Sequence, residues 1–407
     1  MYFINENFYI LPYNYTIFSF GGIEVNVYLD NAATSFPKPP GVAEAMVYFM
    51  NNIGSNAGRG SYSSSIESSR NIYECRESIC DIFNFDKAEN VIFMPNITYS
   101  LNILLKSILK SGWHVITSSM EHNSVLRPLY QAKDTLGIEL DVIKCSKEGL
   151  ISTEDVKKAI KSNTRLIILS HASNIIGTIQ PLEIIGNMCK ENNIFFIIDS
   201  AQTAGVVPID FYKLNANAIA FTGHKGLMGP QGTGGFILDS NLESIATPII
   251  VGGTGSLSSS IYQPDFLPDK FESGTQNAPG IFGLYEGLKF IKDFGINAIA
   301  QKEDHLCNTL MTGLLNMEDV IVHGTQNINE RTAVVSVTFK NHDTSEIGYL
   351  LDNEFGIMTR TGLHCAPLAH ETIGTYPVGT LRFSPGFFTT EEDIKYTLDS
   401  LYKLIRR

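Results

Sequence analysis

Between about residue 88 and residue 240, short apolar segments alternate with amphipathic segments of helical period, and this alternation restricts the fold more than any other feature. Several apolar segments are apolar almost throughout, which is typical of parallel strands buried on both faces. Strands that alternate with helices predict an α/β fold, with a mostly parallel seven-stranded sheet and helices on both faces. The predicted strands are 90–94, 114–118, 140–143, 165–170, 194–199, 218–222 and 233–238.

Two of these strands end on residues that suit one cofactor. The fifth strand ends on Asp199, and the sixth runs into Thr222-Gly-His224-Lys225. Pyridoxal phosphate (PLP) needs a lysine amine that forms a Schiff base, an acid that keeps its pyridine nitrogen protonated, and polar groups for its phosphate. Taken singly, Lys225 is typical of a surface lysine and Asp199 of a helix N-cap. Because ligands of such sheets bind beyond the carboxyl ends of the strands, the pair predicts a PLP site.

Composition disfavours several other classes of protein. A net charge of −12 disfavours nucleic acid or an anionic membrane as a partner, and no apolar run reaches the roughly 18 residues of a membrane span. The six cysteines form no CxxC pair and no Cys/His metal spacing, so we expect no metal site. They are typical of free thiols in a reducing compartment, and residues 1–37 contain no Lys or Arg for a secretory signal. We therefore expect a cytoplasmic protein.

A chain of 407 residues is too long for a single small core, and its patterning predicts three parts. Residues 1–27 form an aromatic, Asn-rich extension that we expect to pack on the body or on a partner subunit. Residues 28–280 form a large domain that contains the sheet and the cofactor site. Residues 281–407 form a smaller α+β domain.

Outside the sheet region, local signals predict a loop and several elements. The stretch from about 245 to 280 is rich in Gly, Ser and Pro and is too long for an idle linker, so we expect it to be functional or at an interface. Thr390-x-x-Asp393 is a capping box that predicts the start of a terminal helix. The other predicted elements are a helix at 281–294 and strands at 333–339 and 381–383.

The motifs and their order resemble the cysteine desulfurase/selenocysteine lyase family, in the class V branch of fold-type I PLP enzymes. Tyr28-Leu-Asp-Asn-Ala-Ala-Thr34 is similar to the family's N-terminal signature. Arg360-Thr-Gly-Leu-His-Cys365-Ala is similar to the nucleophile segment of the short-loop (group II) desulfurases, which places the nucleophile loop in the C-terminal domain. The resemblance runs from about Tyr28 to the C-terminus. It implies a fold-type I PLP-dependent transferase that works as a homodimer.

The resemblance also implies roles for residues around the cofactor. Lys225 would form the Schiff base and Asp199 would pair with the pyridine nitrogen. His122 would stack on the ring and carry protons, Gln202 would bind the ring hydroxyl, and Thr275 would be donated across the dimer interface. The residues implied to hold the phosphate are Asn96, Ile97 (through its backbone amide), Thr98, Thr222 and His224.

The nucleophile implied by the resemblance is Cys365. It lies in a stretch with His364 and His370, and an adjacent cation favours a thiolate. The other cysteines are expected to be core or helix residues (Cys75, Cys80, Cys189, Cys307) or to lie in a surface turn (Cys145). The residues implied to bind substrate are Arg360, which would hold its carboxylate, with Asn174 and Arg382 beside it.

The reaction implied is the desulfuration of L-cysteine. L-cysteine would displace Lys225 from PLP, lose its α-proton and yield its sulfur to the Cys365 thiolate. Alanine would leave, and the persulfide on Cys365 would pass its sulfur to a protein acceptor.

Several alternatives stay open. L-selenocysteine could be the substrate, and a cysteine sulfinate desulfinase, a selenocysteine lyase or a class V aminotransferase would use the same cofactor site. An aminotransferase would have no need of Cys365. A PLP fold that serves only as a scaffold subunit is disfavoured by intact Lys225, Asp199 and Cys365. A nucleotide site at Gly229–Gly235 is disfavoured because that run opens no predicted helix.

Overall fold

The computed structural model describes residues 26–58 and 60–407 of the chain. The predicted extension 1–27 therefore lies almost wholly outside the described residues. The helices are α1 (Val42–Tyr48), α2 (Ser63–Phe83), α3 (Ile97–Ile108), α4 (Asn123–Leu136), α5 (Thr153–Ala159), α6 (Leu182–Glu191), α7 (Ser240–Ile245), α8 (Ala278–Phe294), α9 (Ile296–Leu315), α10 (Thr344–Phe355), α11 (Pro367–Ile373) and α12 (Glu391–Leu404). The strands are β1 (Val27–Tyr28), β2 (Val91–Met94), β3 (His114–Ser118), β4 (Glu139–Ile143), β5 (Thr164–Ser170), β6 (Phe195–Asp199), β7 (Ala218–Thr222), β8 (Gly234–Leu238), β9 (Val320–His323), β10 (Val335–Phe339), β11 (Ile357–Met358), β12 (Arg360–Gly362) and β13 (Thr380–Phe383).

The largest sheet has seven strands in the order β2-β8-β7-β6-β5-β3-β4. Strands β7, β6, β5, β3 and β4 run parallel, and β8 is antiparallel to both of its neighbours. Every residue of β3, β7 and β8 is buried, as expected for strands covered on both faces. The predicted α/β fold with a mostly parallel seven-stranded sheet is confirmed, and the predicted strand ends differ from the observed ones by one residue at most.

Helices cover both faces of this sheet with one apolar side each. In α3 the buried leucines and isoleucines include Leu101, Leu104, Leu105 and Ile108, at spacings of three and four residues. Such spacing places them on one face of a helix, and burying each contributes roughly 2 kcal/mol. Two core clusters result, and β5 contributes Ile167 to one and Leu166 to the other because successive strand residues point to opposite faces.

A second, four-stranded sheet has the order β12-β13-β10-β9 and is antiparallel throughout. It shares a third core cluster with α9, α10 and α12. The predicted capping box is present at the start of α12, where the Thr390 hydroxyl accepts from the Asp393 amide at 3.1 Å and Asp393 accepts from the Thr390 amide at 2.9 Å. The division into domains at residue 280 stays a prediction.

The expectation that Cys145 lies in a surface turn is wrong. Cys145 is buried, and its backbone amide donates to the Ser119 hydroxyl at 3.0 Å. The polar sequence around it suggested exposure, but the segment after β4 folds back over the end of β3. Among the described residues, no helix combines the length and the apolar character needed to cross a membrane.

The carboxyl ends of four neighbouring parallel strands carry polar side chains. The last residues of β3, β5, β6 and β7 are Ser118, Ser170, Asp199 and Thr222. Because the strands are parallel and adjacent, these residues lie along one edge of the sheet, where open α/β sheets bind their ligands.

Candidate active site

A cavity of about 580 Å³ lies at this edge of the sheet. Ten of the fourteen predicted site residues line it, which places side chains from both sheets around one space. These ten are Asn96, Ile97, Thr98, His122, Asn174, Thr222, His224, Lys225, Arg360 and Arg382. The other lining residues are Ala32, Ala33, Tyr99, Gln231, Gly232 and His364.

Lys225 follows β7 by three residues and reaches into the cavity wall. Burial, helped by the positive charge of Arg382, lowers the pKa of its amine to about 8. A substantial fraction of the amine is therefore unprotonated near pH 8, and an unprotonated amine is the form that attacks a carbonyl carbon.

Asp199 ends β6 directly beside β7 and is buried; it does not line the cavity, but its charge interacts with that of Lys225. The Ala201 amide donates to its Oδ1 at 2.9 Å. Burial raises the pKa of Asp199, against the opposing effects of that amide and of the Lys225 charge. A buried carboxyl with a raised pKa is stabilised in its charged form by any cation placed against it.

The N-terminus of α3 lines the cavity and offers unpaired backbone donors. The Asn96 side chain caps this helix by accepting from the Tyr99 amide at 3.1 Å. The Ile97 and Thr98 amides are the first two of the helix, so they have no partner within it. Such amides and the helix dipole favour an anion at this end.

Two side chains close to Lys225 in sequence, Thr222 at the end of β7 and His224 after it, also line the cavity. Thr222 Oγ1 and His224 Nδ1 are buried, and neither has a hydrogen-bond partner among the described residues. Burial lowers the pKa of His224 to about 4, so its ring is neutral near pH 7 and one nitrogen can donate. Buried polar atoms without partners are costly, which indicates that a polar ligand belongs there.

His122 is the N-cap of α4, and its Nδ1 accepts from the Ser124 amide at 3.0 Å. Burial and the charge of Lys225 lower the pKa of His122 to about 4. The ring is therefore neutral, and because Nδ1 accepts, the proton lies on Nε2.

The two arginines of the site differ in whether their side chains are already bound to other residues of the protein. Arg382 on β13 is buried, pairs with Asp30 Oδ1 at 2.6 Å and donates to the Asn174 carbonyl at 2.8 Å. Arg360 pairs with it across β12 and β13 through the backbone, but the Arg360 side chain has no hydrogen bond or ion pair to any described residue. Arg360 therefore keeps its two-pronged guanidinium available for a carboxylate.

Cys365 lies in the turn between β12 and α11 and is exposed, whereas the other five cysteines are buried. It does not line the cavity, although its neighbour His364 does. Both residues have left-handed backbones, with φ of 46° at His364 and 60° at Cys365, a conformation that ordinary residues adopt at a cost. Two contacts hold the turn: the Asn123 amide donates to the Cys365 carbonyl at 2.8 Å, and Asn174 Nδ2 donates to the His364 carbonyl at 2.8 Å.

Neither His364 nor His370, the histidines of this stretch, supplies a cation beside Cys365. Both rings are buried, and burial lowers the pKa of His364 to about 2 and that of His370 to about 4. Each is neutral near pH 7. Burial is the largest cause of the lowered pKa of His364, and the positive charge of Arg382 acts in the same direction.

The comparison with protein families accounts for almost the whole chain. A family model described as "Aminotransferase class-V" matches residues 27–397. The chain belongs to the class-V aminotransferase family.

Within the class-V aminotransferases, the chain is similar to proteins named as cysteine desulfurases. It is 32% identical to a "Probable cysteine desulfurase" of Pyrococcus abyssi, across 93% of this chain and 94% of that protein. The apo structure of a cysteine desulfurase from Thermococcus onnurineus NA1 superposes with a TM-score of 0.89, at 30% identity across 94% of this chain and 95% of that chain. The Escherichia coli cysteine desulfurase CsdA, at 24% identity and a TM-score of 0.85 across 94% of this chain and 95% of its own, shares the fold.

Four of the fourteen predicted site residues do not line the main cavity: Asp199 and Cys365, described above, and Gln202 and Thr275. Gln202 lines an adjoining cavity together with Lys225, and its Nε2 donates to the Ala32 carbonyl at 3.2 Å. Thr275 lies exposed on the surface, in the loop that follows the buried Arg76–Glu272 ion pair of 2.6 Å. Within one chain Thr275 does not meet the other site residues.

Sequence reasoning missed one buried acid of this class-V aminotransferase site, Glu121. It accepts from Ser118 Oγ at 2.6 Å, and from the Ser170 amide and hydroxyl at 2.8 and 2.7 Å. Burial raises the pKa of Glu121 to about 7, and the charge of Asp199 acts in the same direction. Glu121 thus joins the ends of β3 and β5 directly before His122. Its position after β3 was the available signal, but burial of a lone Glu cannot be read from sequence.

Proposed function

We propose that the chain is a PLP-dependent cysteine desulfurase that converts L-cysteine to alanine and holds the sulfur on Cys365. The similarity to proteins named as cysteine desulfurases supports this function. The observation that carries it is the convergence of Lys225, Asp199 and Arg360 around one site, with the exposed Cys365 on the adjoining turn.

The residues present fit the phosphate end of PLP. The free amides at the start of α3, the Thr222 hydroxyl and His224 Nδ1 are unpaired donors that a phosphate would satisfy. Asn96 and Thr98 line the same wall. Ile97 would contribute its amide alone.

The residues also fit the pyridine end. Asp199 would pair with the protonated ring nitrogen, which supplies the cation that a buried carboxylate needs. His122 would face the ring with its Nε2 proton. Gln202 would reach the ring hydroxyl only if it gave up its hydrogen bond to the Ala32 carbonyl. Bound here, PLP supplies an electron sink for the charge left when the substrate loses its α-proton.

For the substrate, Arg360 would bind the carboxylate through its unpaired guanidinium. Asn174 and Arg382 would shape the same wall from fixed positions, since each already holds a hydrogen bond to the protein. Cys365 would accept the substrate's sulfur as a persulfide. Its exposure supports later transfer to a protein acceptor, and the six free thiols support a reducing, cytoplasmic location.

The function is tested with purified protein, supplied with PLP, a thiol reductant and L-cysteine. We expect alanine and sulfide to form in equal amounts, at a rate that saturates with L-cysteine. L-selenocysteine in a parallel assay measures the preference between sulfur and selenium. Formation of an α-keto acid in place of alanine would favour an aminotransferase and overturn the proposal.

We also propose a homodimer in which Thr275 completes the partner's phosphate site. The exposed apolar residues of the loop 245–280 support it, because Ile261 is 92% and Tyr262 79% exposed in the single chain. Thr275→Ala is expected to weaken PLP binding by about tenfold, the value of one charge-assisted hydrogen bond, without changing the dimer. Light scattering measures the oligomer and equilibrium dialysis measures PLP affinity. An active monomer at assay concentration would rule this arrangement out.

A further inference from the structure

The backbone carbonyl of His224, directly before Lys225, accepts an unusual number of hydrogen bonds. Its donors are the Ser35 amide at 2.9 Å, Thr34 Oγ1 at 3.1 Å, Ser35 Oγ at 3.2 Å and Lys38 Nζ at 2.9 Å. All four come from one short segment, residues 34–38, which begins at the last residue of the N-terminal signature motif. Residues 34–38, which are distant in sequence, are therefore hydrogen-bonded to the peptide group that precedes Lys225.

Lys38 is not needed to satisfy this carbonyl. A carbonyl oxygen has two lone pairs, which the Ser35 amide and Thr34 hydroxyl already serve. The other contact of Lys38 is with Ser35 Oγ, to which its Nζ donates at 2.8 Å. The amine therefore adds restraint where the hydrogen-bonding requirement is already met.

Burying the amine of Lys38 at this position also costs folding free energy. Lys38 is partly buried, and burial lowers the pKa of its amine to about 8. Among residues 26–58 and 60–407, no carboxylate pairs with it, and its two contacts are a hydroxyl and a backbone carbonyl. An ammonium held only by a hydroxyl and a carbonyl is less stable than an apolar side chain of similar length. A contribution to folding therefore does not explain a lysine at this position.

We propose that Lys38 is a positioning residue that fixes the peptide plane between His224 and Lys225. The peptide unit is planar, so holding the His224 carbonyl also holds the nitrogen and Cα of Lys225. The origin of the Lys225 side chain is thereby fixed. This inference rests on the proposed role of Lys225.

The test compares Lys38→Met, Lys38→Arg and the control Lys289→Met with the wild type. Lys289 is also a partly buried lysine, but it contacts Glu286 and Tyr285 on α8, away from Lys225. The first readout is the rate at which the visible absorption band appears when PLP is added to cofactor-free protein. The others are kcat and KM for L-cysteine and the thermal unfolding midpoint.

We expect Lys38→Met to slow the appearance of the band and to lower kcat, each by about tenfold, because a small displacement of a reactive group costs rate. KM changes by less than about twofold, and the unfolding midpoint stays the same or rises. Lys38→Arg, which keeps a cationic donor, restores part of both rates. Lys289→Met behaves like the wild type in both rates.

Two results would overturn the inference alone. One is a Lys38→Met protein with wild-type rates, and the other is a loss of rate that tracks a fall in unfolding midpoint, which would make Lys38 a structural residue. A wild-type protein that forms no visible band with PLP would overturn the proposed function as well, so the two failures are distinguishable.

Discussion

Cys365→Ser is expected to abolish sulfide formation from L-cysteine, by about a thousandfold or more, while PLP stays bound. A serine hydroxyl is barely ionised at neutral pH and cannot accept the substrate's sulfur as a thiolate does. The PLP-binding residues belong to other elements, and Cys365 itself does not line the cavity, so the visible spectrum should be unchanged. Alanine and sulfide release with L-cysteine, together with the spectrum, give the measurement.

The matched control for this substitution is Cys80→Ser. Cys80 is a buried cysteine on α2, away from the cavity residues, and its replacement should leave sulfide formation at the wild-type level if the protein folds. L-selenocysteine provides a second arm, because a weaker C–Se bond needs less help from a thiolate. Full alanine production from L-cysteine by Cys365→Ser would show that Cys365 is not the nucleophile and would bring the lyase or aminotransferase alternatives forward.

The sheet could be predicted from sequence because its strands are defined by local apolar runs. Every predicted strand from 114–118 to 218–222 occurs, and the residues at their ends, such as Asp199, follow from the parallel topology. The helix α9 was not predicted as an element, although Cys307 within it was assigned to a helix. A single residue, Gly295, separates α8 from α9. Its φ of 84° breaks the helix, and the spacing of apolar residues alone does not reveal this break.

What sequence could not predict depends on burial. Polar neighbours suggested that Cys145 is exposed, and the charge state of His364 and His370 depends on their burial, which the sequence does not reveal. Glu121 is a similar case, since its pKa of about 7 arises from burial at the joined ends of β3 and β5. Thr275 differs again, because a site shared between two chains cannot be completed within one.

Lys225→Ala is expected to remove the visible absorption band and to lower alanine formation by about a thousandfold or more, because the amine that binds PLP covalently is lost. PLP still binds through the phosphate end. Lys225→Arg is the companion variant: it keeps the positive charge but forms no covalent link, so it should be equally inactive. Lys213→Ala, an exposed lysine paired with Glu183 at 3.0 Å, is the surface control and should retain activity.

The same Lys225→Ala substitution is expected to stabilise the cofactor-free protein at neutral pH. The amine has a pKa of about 8 in the folded chain and an ordinary value of 10.5, so below pH 8 folding must bury a charge that the unfolded chain keeps in water. Between these values the unfolded state binds more protons, and wild-type stability therefore rises as pH rises from 8 to 10.5. Thermal unfolding of both cofactor-free proteins at pH 7 and pH 10 measures this difference. Two results would contradict the lowered pKa of the Lys225 amine. One is a variant that is less stable than the wild type at pH 7, and the other is a difference in stability between the two proteins that does not shrink toward pH 10.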